Sequence, residues 1–232
     1  PKKRYICSMA DNYLENKFDE YEHRQPKAVH KGGPSLDSLF TKNRSTRGFD
    51  QGRKVTLEEL KKIVEVNTRI ASSKNQQALR FKLITAGPEA DFVNANFKMG
   101  ALFRARRAAD PGCDPKDFPQ LPLPGTEPEA FVLVYGTHPE DSSLLIDLGI
   151  SLQSMALKAM ELGLNTLIIR AFNRQALLSM VPGQELYPVA VLAVGKSAES
   201  IYILPTKEAP LNYFRKEGVH YVPKLGLEQI LL

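Results

Sequence analysis

The clearest periodic pattern of apolar residues lies in the segment VTLEELKKIVEVNTRIA, residues 55–71. Leu60 and Ile63 recur at helical spacing on one face of this segment, as expected of an amphipathic helix. Thr56 followed three residues later by Glu59 is a capping-box pattern, in which each side chain accepts a hydrogen bond from a backbone N–H at the start of a helix. The pattern therefore predicts a helix that begins next to Thr56.

Short apolar runs flanked by turn residues predict the strands of the fold. The segment LRFKLITAG alternates apolar and polar side chains, whereas AFVLVYG is apolar almost throughout, as in a buried strand. The predicted elements after the first helix are strands at 79–87, 130–136, 164–172 and 188–196 and helices at 141–163 and 173–180. Residues 90–109 are a weaker helix candidate, and the prolines that follow predict an irregular excursion within 88–129.

The longest predicted helix, residues 141–163, has almost no polar side over its first half. Its apolar residues there are Leu144, Leu145, Ile146, Leu148, Ile150, Leu152, Met155 and Ala156. A helix without a polar face is buried on all sides, so this one is predicted to lie either at the centre of the domain or inside a subunit interface. Gly163 suits the left-handed position that commonly ends a helix.

The order of these elements predicts an α+β or α/β layout. With 232 residues, 43% of them apolar, the chain is long enough to bury one substantial core. Residues 1–34 carry few apolar side chains, and we interpret them as an N-terminal arm with a charged helix at 11–25. Residues 35–232 are predicted to form a single domain.

Charge and cysteine content narrow the classes of function. Lys and Arg number 31 against 26 Asp and Glu, a net charge of +5 that permits an anionic ligand but does not indicate a dedicated nucleic-acid binder. Cys7 and Cys113 belong to no CxxC motif or Cys/His cluster, so no metal site is predicted. A reducing, cytoplasmic compartment is the simpler expectation, and a disulfide between the two is the alternative. We expect no membrane partner, because no uninterrupted apolar run reaches the roughly 18 residues of a spanning helix.

Common catalytic and nucleotide-binding signatures are absent from the sequence. It contains no GxGxxG or GxxxxGK[ST] loop, no GxSxG elbow and no HExxH motif. The four histidines, His23, His30, His138 and His220, show no ligand spacing and are expected at the surface. The basic segment FRARR at 103–107 is the best support for a non-enzymatic nucleotide or RNA binder, but no aromatic stacking platform accompanies it.

Two polar stretches, on either side of the first predicted helix, are the strongest candidates for a binding site. In NRSTRGF, residues 43–49, the guanidinium groups and hydroxyls of Arg44, Ser45, Thr46 and Arg47 suit the oxygens of a phosphate. In ASSKNQQALRF, residues 71–81, the amides and hydroxyls suit the hydrogen-bonding edge of a heterocycle. The alternative for both stretches is a solvated polar loop.

These stretches, in this order, resemble the nitroreductase family of FMN-dependent oxidoreductases. The matching features are Arg-Ser-x-Arg with a following aromatic residue, then TLEEL, then SSKNQQALRF. The segment DLGISLQSMALKAMELGLNT is similar to the family's long central helix and next strand, and PVAVLAVGK and HYVPK fit its later segments. The resemblance, which covers roughly residues 36–230, implies an α+β fold with a central, mostly antiparallel sheet flanked by helices, in an interwoven homodimer.

The resemblance also implies which residues would hold FMN. Arg44 and Ser45, with the neighbouring Thr46, would bind the FMN phosphate. Arg47 would reach the pyrimidine end of the isoalloxazine. Further contacts with the flavin are expected from Ser72, Ser73, Asn75 and Gln77 and from the backbone near Ile169 and Arg170. Lys196 and Lys224 would approach the phosphate. LGL follows Lys224 where many members have another arginine, so the contact of the tail is weaker there or falls to Arg215.

The reaction implied by the resemblance belongs to the flavin rather than to a catalytic side chain. NADH or NADPH would reduce flavin N5, and a small acceptor such as a nitroaromatic or a quinone would then be reduced at the same face in a ping-pong scheme. No side-chain acid or base is expected. The alternatives are a flavin-binding protein with a different redox reaction, or a non-enzymatic nucleotide or RNA binder.

Overall fold

Five helices and two sheets make up most of the regular structure in the described residues, 33–98, 125–208 and 211–232 of the computed structural model. The helices are α1 (Leu36–Lys42), α2 (Leu57–Val64), α3 (Pro88–Ala95), α4 (Ser142–Glu161) and α5 (Arg174–Leu178). The strands are β1 (Leu79–Ile84), β2 (Ala130–Gly136), β3 (Asn165–Ile169), β4 (Tyr187–Gly195), β5 (Ser200–Thr206), β6 (Phe214–Lys216) and β7 (Val219–Leu225).

The predicted arm, its helix at 11–25 and the FRARR segment lie outside the described residues, apart from the last two residues of the arm. The described residues from Pro34 onward form one compact unit. The division of the chain into an arm and a domain stays a prediction.

Helix α2 begins where the capping pattern predicts. The Thr56 hydroxyl accepts from the Glu59 N–H at 3.2 Å, and the Glu59 carboxylate accepts from the Thr56 N–H at 2.9 Å. The α-helix ends at Val64, and a 3₁₀ turn follows at Glu65–Thr68. It stops earlier than predicted because the Asn67 side chain donates to the Val64 carbonyl, a local bond that competes with helical geometry.

The four-stranded sheet has the order β1-β2-β4-β3, and all neighbouring strands are antiparallel. Its strands end within three residues of the predicted bounds. All of β2 is buried because helices cover both faces. Val132 and Val134 pack with residues of α2 and α4 on one face, whereas Phe131 and Leu133 pack with residues of α3 and α5 on the other. The predicted α+β fold is confirmed.

Helix α4 is buried along one side only. Leu148, Leu152 and Met155 lie in the core, whereas Ile146 is 61% exposed and Ile150 is 37% exposed. Burial on all sides within one chain is therefore wrong, and the alternative, a place inside a subunit interface, stays a prediction. By length and composition α4 also qualifies as a membrane-spanning helix, a test that core helices of soluble proteins pass as well.

The C-terminal region forms a second sheet that the sequence patterns did not predict. Its order is β5-β7-β6, with β5 parallel and β6 antiparallel to β7. Pro205 and Pro223 interrupt the runs of β-forming residues in β5 and β7, and much of β5 is exposed, so no apolar periodicity marks these strands.

The edge of the four-stranded sheet positions the first polar stretch. Ser45 forms an isolated parallel bridge with Thr166 of β3, and the Thr46 N–H donates to the Thr166 carbonyl at 3.0 Å. Phe49 bridges Ser197, which follows β4. Its ring also lies against Gly195, where a Cβ would come within 2.7 Å of Phe49 Cδ1. Residues 43–49 are thereby fixed along the edge of the sheet.

Candidate functional site

A cleft of about 250 Å³ lies between the edge of the four-stranded sheet, helix α4 and the C-terminal sheet. Four of the predicted site residues line it together: Arg44, Ser45, Arg47 and Lys224. The other lining residues are Asn43, Gln153, Ala156, Thr166, Ile168, Tyr213, His220 and Val222. The cleft therefore brings together two cationic side chains, Arg44 and Lys224, that lie near opposite ends of the described sequence.

Of residues 43–47, all but Thr46 line the cleft. Ser45 and Arg47 line it, whereas Thr46, between them, is fully buried on the other side. The Arg47 guanidinium lies over the Tyr213 ring, 4.6 Å from its centroid, in a cation–π contact. Burial lowers the pKa of Arg47, and Tyr213 partly offsets this, but an arginine remains charged.

Arg44 is held from the other end of the same stretch. Its Nε donates to the Thr41 carbonyl at 3.1 Å, and its Nη2 donates to the Phe40 carbonyl. These carbonyls belong to the last turn of α1, whose partial negative charge favours a cation. The side chain is therefore oriented before any ligand binds.

His220 is not the surface residue that the sequence suggested. It is 2% exposed, it lines the cleft, and its ring lies edge-on to Tyr213 with 5.1 Å between the centroids. Neither ring nitrogen has a hydrogen-bond partner among the described residues. Burial, and then Arg215, lowers the pKa of His220 to about 4, so the imidazole is neutral at neutral pH.

The remaining cationic candidates have partners outside the cleft. Arg215 donates to Glu199 at 2.5 Å, and Lys196 lies 3.4 Å from an Asp50 carboxylate oxygen. Arg170 pairs with Glu140 at 2.7 Å. Successive side chains of a strand point to opposite faces. Thr166 and Ile168 of β3 line the cleft, so Ile169 lies on the other face, where it is buried in the core. Contacts of these four residues with a cofactor stay predictions.

The second polar stretch forms an irregular loop against α4. Ser73 donates to Asp147 of α4 through its N–H at 2.8 Å and through its hydroxyl at 2.9 Å. The Ser72 hydroxyl accepts from the Gln77 N–H at 3.3 Å. Lys74, Asn75 and Gln77 all have φ near +50°, in the left-handed region that costs a non-glycine residue energy. Strained backbone of this kind persists where the fold fixes it, often at functional sites.

This loop does not line the cleft that holds the first stretch. It contacts α4 at Asp147, whereas the cleft is lined by Gln153 and Ala156, nearer the C-terminal end of the same helix. Two helical residues nine positions apart project from opposite sides and are about 13.5 Å apart along the axis. Within one chain, Ser72, Ser73, Asn75 and Gln77 are therefore separated from Arg44 and Arg47 by α4.

Several residues of the site carried no sequence signal. His220 and Tyr213 lie in a tail without clear periodicity, and Thr166 lies in an apolar strand. Asp147, by contrast, could have been identified as a structurally important residue from the sequence. It is a charged residue within an apolar helical run, and it is buried because it binds Ser73. Such a residue is expected to have a partner, since an unpaired buried charge is costly.

Comparison with known proteins supports the resemblance seen in the sequence. A family model described as the nitroreductase family matches residues 41–196. No curated protein matches the chain. The structural matches include a nitroreductase family protein from Clostridium difficile 630, with 23% identity, a TM-score of 0.52 and coverage of 72% of this chain and 86% of that one.

Two further structural matches carry the cofactor in their names. One is a variant of NfnB, an FMN- and NADPH-dependent nitroreductase from Sphingopyxis sp. strain HMH, with 21% identity, a TM-score of 0.59 and coverage of 85% of this chain and 98% of that one. The other is an FMN-dependent nitroreductase from Clostridium difficile R20291, with 17% identity, a TM-score of 0.52 and coverage of 71% and 89%. These likenesses establish the fold. Because the family model spans more than half of the chain, the protein belongs to the nitroreductase family.

Proposed function

We propose that this protein is an FMN-dependent oxidoreductase that passes electrons from NADH or NADPH to a small acceptor, such as a nitroaromatic or a quinone. The observation that carries the proposal is the convergence of Arg44, Ser45, Arg47 and Lys224 on one cleft in a member of the nitroreductase family. Structural neighbours named as FMN-dependent support the choice of cofactor.

The cleft residues fit the phosphate end of FMN. The Arg44 guanidinium group, the Lys224 ammonium group and the Ser45 hydroxyl offer hydrogen bonds to a dianionic monophosphate. The unpartnered ring nitrogens of His220 add polar capacity to the same wall. The sequence has no glycine-rich pyrophosphate loop, which favours FMN over a dinucleotide.

The protein's own residues would bind and orient the cofactor and adjust its charge environment. Bound FMN supplies the hydride and electron chemistry. Arg44 and Ser45 would hold the phosphate, and the charge of Arg47 would stabilise the anionic reduced form of the ring. Ile168 and Val222 provide apolar contacts in the same cleft. No side chain is assigned proton transfer.

A second copy of the chain would complete the site. The loop at Ser72–Gln77 is separated from the cleft of its own chain by α4, and α4 exposes Ile146 and Ile150. A homodimer that buries this apolar side would bring the loop of one chain toward the cleft of the other. We place this dimer in the cytoplasm as part of the proposal.

The test is to purify the protein, release its cofactor by heat and identify it by chromatography. Free FMN and a yellow protein are expected. Stopped-flow mixing with NADH and NADPH should then bleach the flavin absorbance, and a nitroaromatic or a quinone should restore it. FAD, or no flavin after incubation with excess FMN, would contradict the proposal. A flavin that neither nicotinamide reduces would favour a different redox reaction.

A further inference from the structure

One carboxylate, that of Glu199, contacts the backbone of Arg47, which lines the cleft, without lining the cleft itself. Glu199, immediately before β5, accepts a hydrogen bond from the Arg47 N–H at 2.5 Å, from the Gly48 N–H at 3.0 Å and from Arg215 Nη2 at 2.5 Å. Its side chain is only 11% exposed. No sequence motif marked this residue, and the resemblance assigns it no role.

The backbone on both sides of this contact is fixed by further bonds. The Glu199 N–H donates to the Ser197 hydroxyl at 3.0 Å, and the Ala198 N–H donates to the Gly48 carbonyl at 2.9 Å. A Cβ on Gly48 would lie 3.3 Å from Glu199 Cγ, so the side chain packs tightly against this glycine. The carboxylate therefore has a defined position relative to the backbone of Arg47.

The charges around Glu199 keep it ionised. Burial raises its pKa, but hydrogen bonds from Arg215 and from the Arg47 N–H lower it more, and the pKa lies below its ordinary value. The groups that face it from neighbouring elements are Arg47, Arg215 and His220. The Glu199 charge consequently offsets part of the positive charge that Arg47 brings to the cleft.

We propose that Glu199 is a positioning residue for Arg47, which fixes the backbone at Arg47 and Gly48 and sets the net positive charge that reaches the bound ligand. The inference rests on the proposed FMN site. It separates two roles of one side chain. The carboxylate oxygens fix the backbone at Arg47 and Gly48 by accepting hydrogen bonds. The negative charge of the carboxylate reduces the positive potential that Arg47 and Arg215 produce at the bound ligand.

Two substitutions of Glu199 separate these roles. Glu199→Gln keeps an acceptor oxygen for the N–H groups and removes the charge, whereas Glu199→Ala removes both. Glu199→Ala should weaken FMN binding by about tenfold, because it leaves buried donors without a partner. Glu199→Gln should recover most of that affinity. Glu185 is exposed and lies two residues before β4 begins. Glu185→Gln is therefore the matched control, since it also replaces a carboxylate with an amide.

The charge role is tested by the midpoint potential of the bound FMN. Positive charge stabilises the anionic reduced flavin, so Glu199→Gln should shift the potential to a more positive value. Arg215→Gln, which leaves the carboxylate without its counterion, should shift it to a more negative value. A purely structural role of Glu199 would not produce shifts of opposite sign in these two variants.

The experiment titrates the wild-type protein and the four variants with FMN and riboflavin and measures the potential of each FMN complex. Opposite shifts in Glu199→Gln and Arg215→Gln, with none in Glu185→Gln, are expected. Wild-type FMN binding with an unchanged potential in Glu199→Gln would overturn the inference and leave the proposed function standing. A wild-type protein that binds neither flavin would overturn both. If Glu199→Ala does not fold, Glu199→Gln and Arg215→Gln still decide, because their opposite shifts in potential are the expected result.

Discussion

The two polar stretches of the site, Arg44–Gly48 and Ser72–Gln77, are each anchored by a carboxylate, which is half-buried for Glu199 and buried for Asp147. Glu199 binds the first through two backbone N–H groups, and Asp147 binds the second through a backbone N–H and a hydroxyl. They differ in what their side chains face. Arg44 and Arg47 line a cleft within their own chain, whereas Asn75 and Gln77 are exposed beyond α4.

In the proposed dimer, this difference means that a single chain would hold only part of the site. The cleft stretch is complete enough to bind an anion, because its cations converge there without help from another subunit. The loop stretch carries the strain of three left-handed residues without contributing to that cleft. Strain that serves no purpose within one chain is consistent with a role toward a second chain.

The largest expected effect comes from the apolar side of α4. Ile146→Asp should leave the monomer folded, because Ile146 is 61% exposed in the single chain. In a dimer interface, the same unpaired charge should cost about 3–5 kcal/mol of association free energy. Sedimentation velocity at protein and flavin wavelengths should show a monomer that has lost FMN.

Leu227→Asp, at a similarly exposed apolar position near the C terminus, serves as the control and should leave both dimer and flavin intact. A folded Ile146→Asp monomer that keeps tight FMN would place the whole site within one chain.

The next effect concerns acid stability on the cleft side. The pKa of His220 is about 4 in the folded protein against an ordinary value of 6.5. Between these values the unfolded chain binds the extra proton, so stability falls as the pH is lowered through this window, by roughly 3 kcal/mol in total. His220→Phe should remove this part of the pH dependence.

Urea unfolding of both proteins at several pH values measures the difference. Glu199, whose pKa is lowered below 4.5, loses its contribution only at more acidic pH, so the two groups are separable. Parallel pH profiles for wild type and His220→Phe would show that the histidine is accessible to protons in the folded state.

The Arg44 contact should have a smaller effect, on ligand binding rather than on stability. Arg44→Ala should weaken FMN binding by about 1.5–3 kcal/mol, the scale of a charge-assisted hydrogen bond. Arg44→Lys should recover part of this, since a point charge replaces a fork. Arg69→Ala, an exposed arginine after α2, should leave affinity unchanged. Fluorescence quenching of FMN measures all three, and wild-type affinity in Arg44→Lys would argue against a bidentate contact.

The smallest expected effect is on the loop stretch. Asp147→Ala leaves the half-buried Ser73 N–H without its acceptor and should lower the free energy of unfolding by about 1–3 kcal/mol. Asp147→Asn, which keeps an acceptor oxygen, should restore much of it. If FMN affinity falls in the Asp147→Ala dimer while its cleft residues are intact, the loop contributes to the site. Unchanged affinity would confine its role to stability.

Part of the fold could be predicted because its signals are local. The capping box at Thr56 and the apolar runs of β2 and β4 depend on neighbours a few residues away. The C-terminal sheet escaped prediction because its strands are partly exposed and contain prolines. Among the site residues, Arg44 and Arg47 could be identified by residue type. Glu199 could not, because its partner Arg47 is more than 100 positions away, and His220 could not, because its burial depends on tertiary packing.

The sequence by itself determined helices α2, α4 and α5, the strands of the four-stranded sheet, the family and the residue types suited to a phosphate, because periodicity, capping and side-chain chemistry act over short distances. Helix α1 was not predicted. Only the tertiary structure decided which of those residues share a cleft. Packing of α4 between the two polar stretches separates them within one chain, and folding of the C-terminal sheet brings Lys224, Tyr213 and His220 to Arg47. Such contacts depend on long-range packing, which no local pattern encodes.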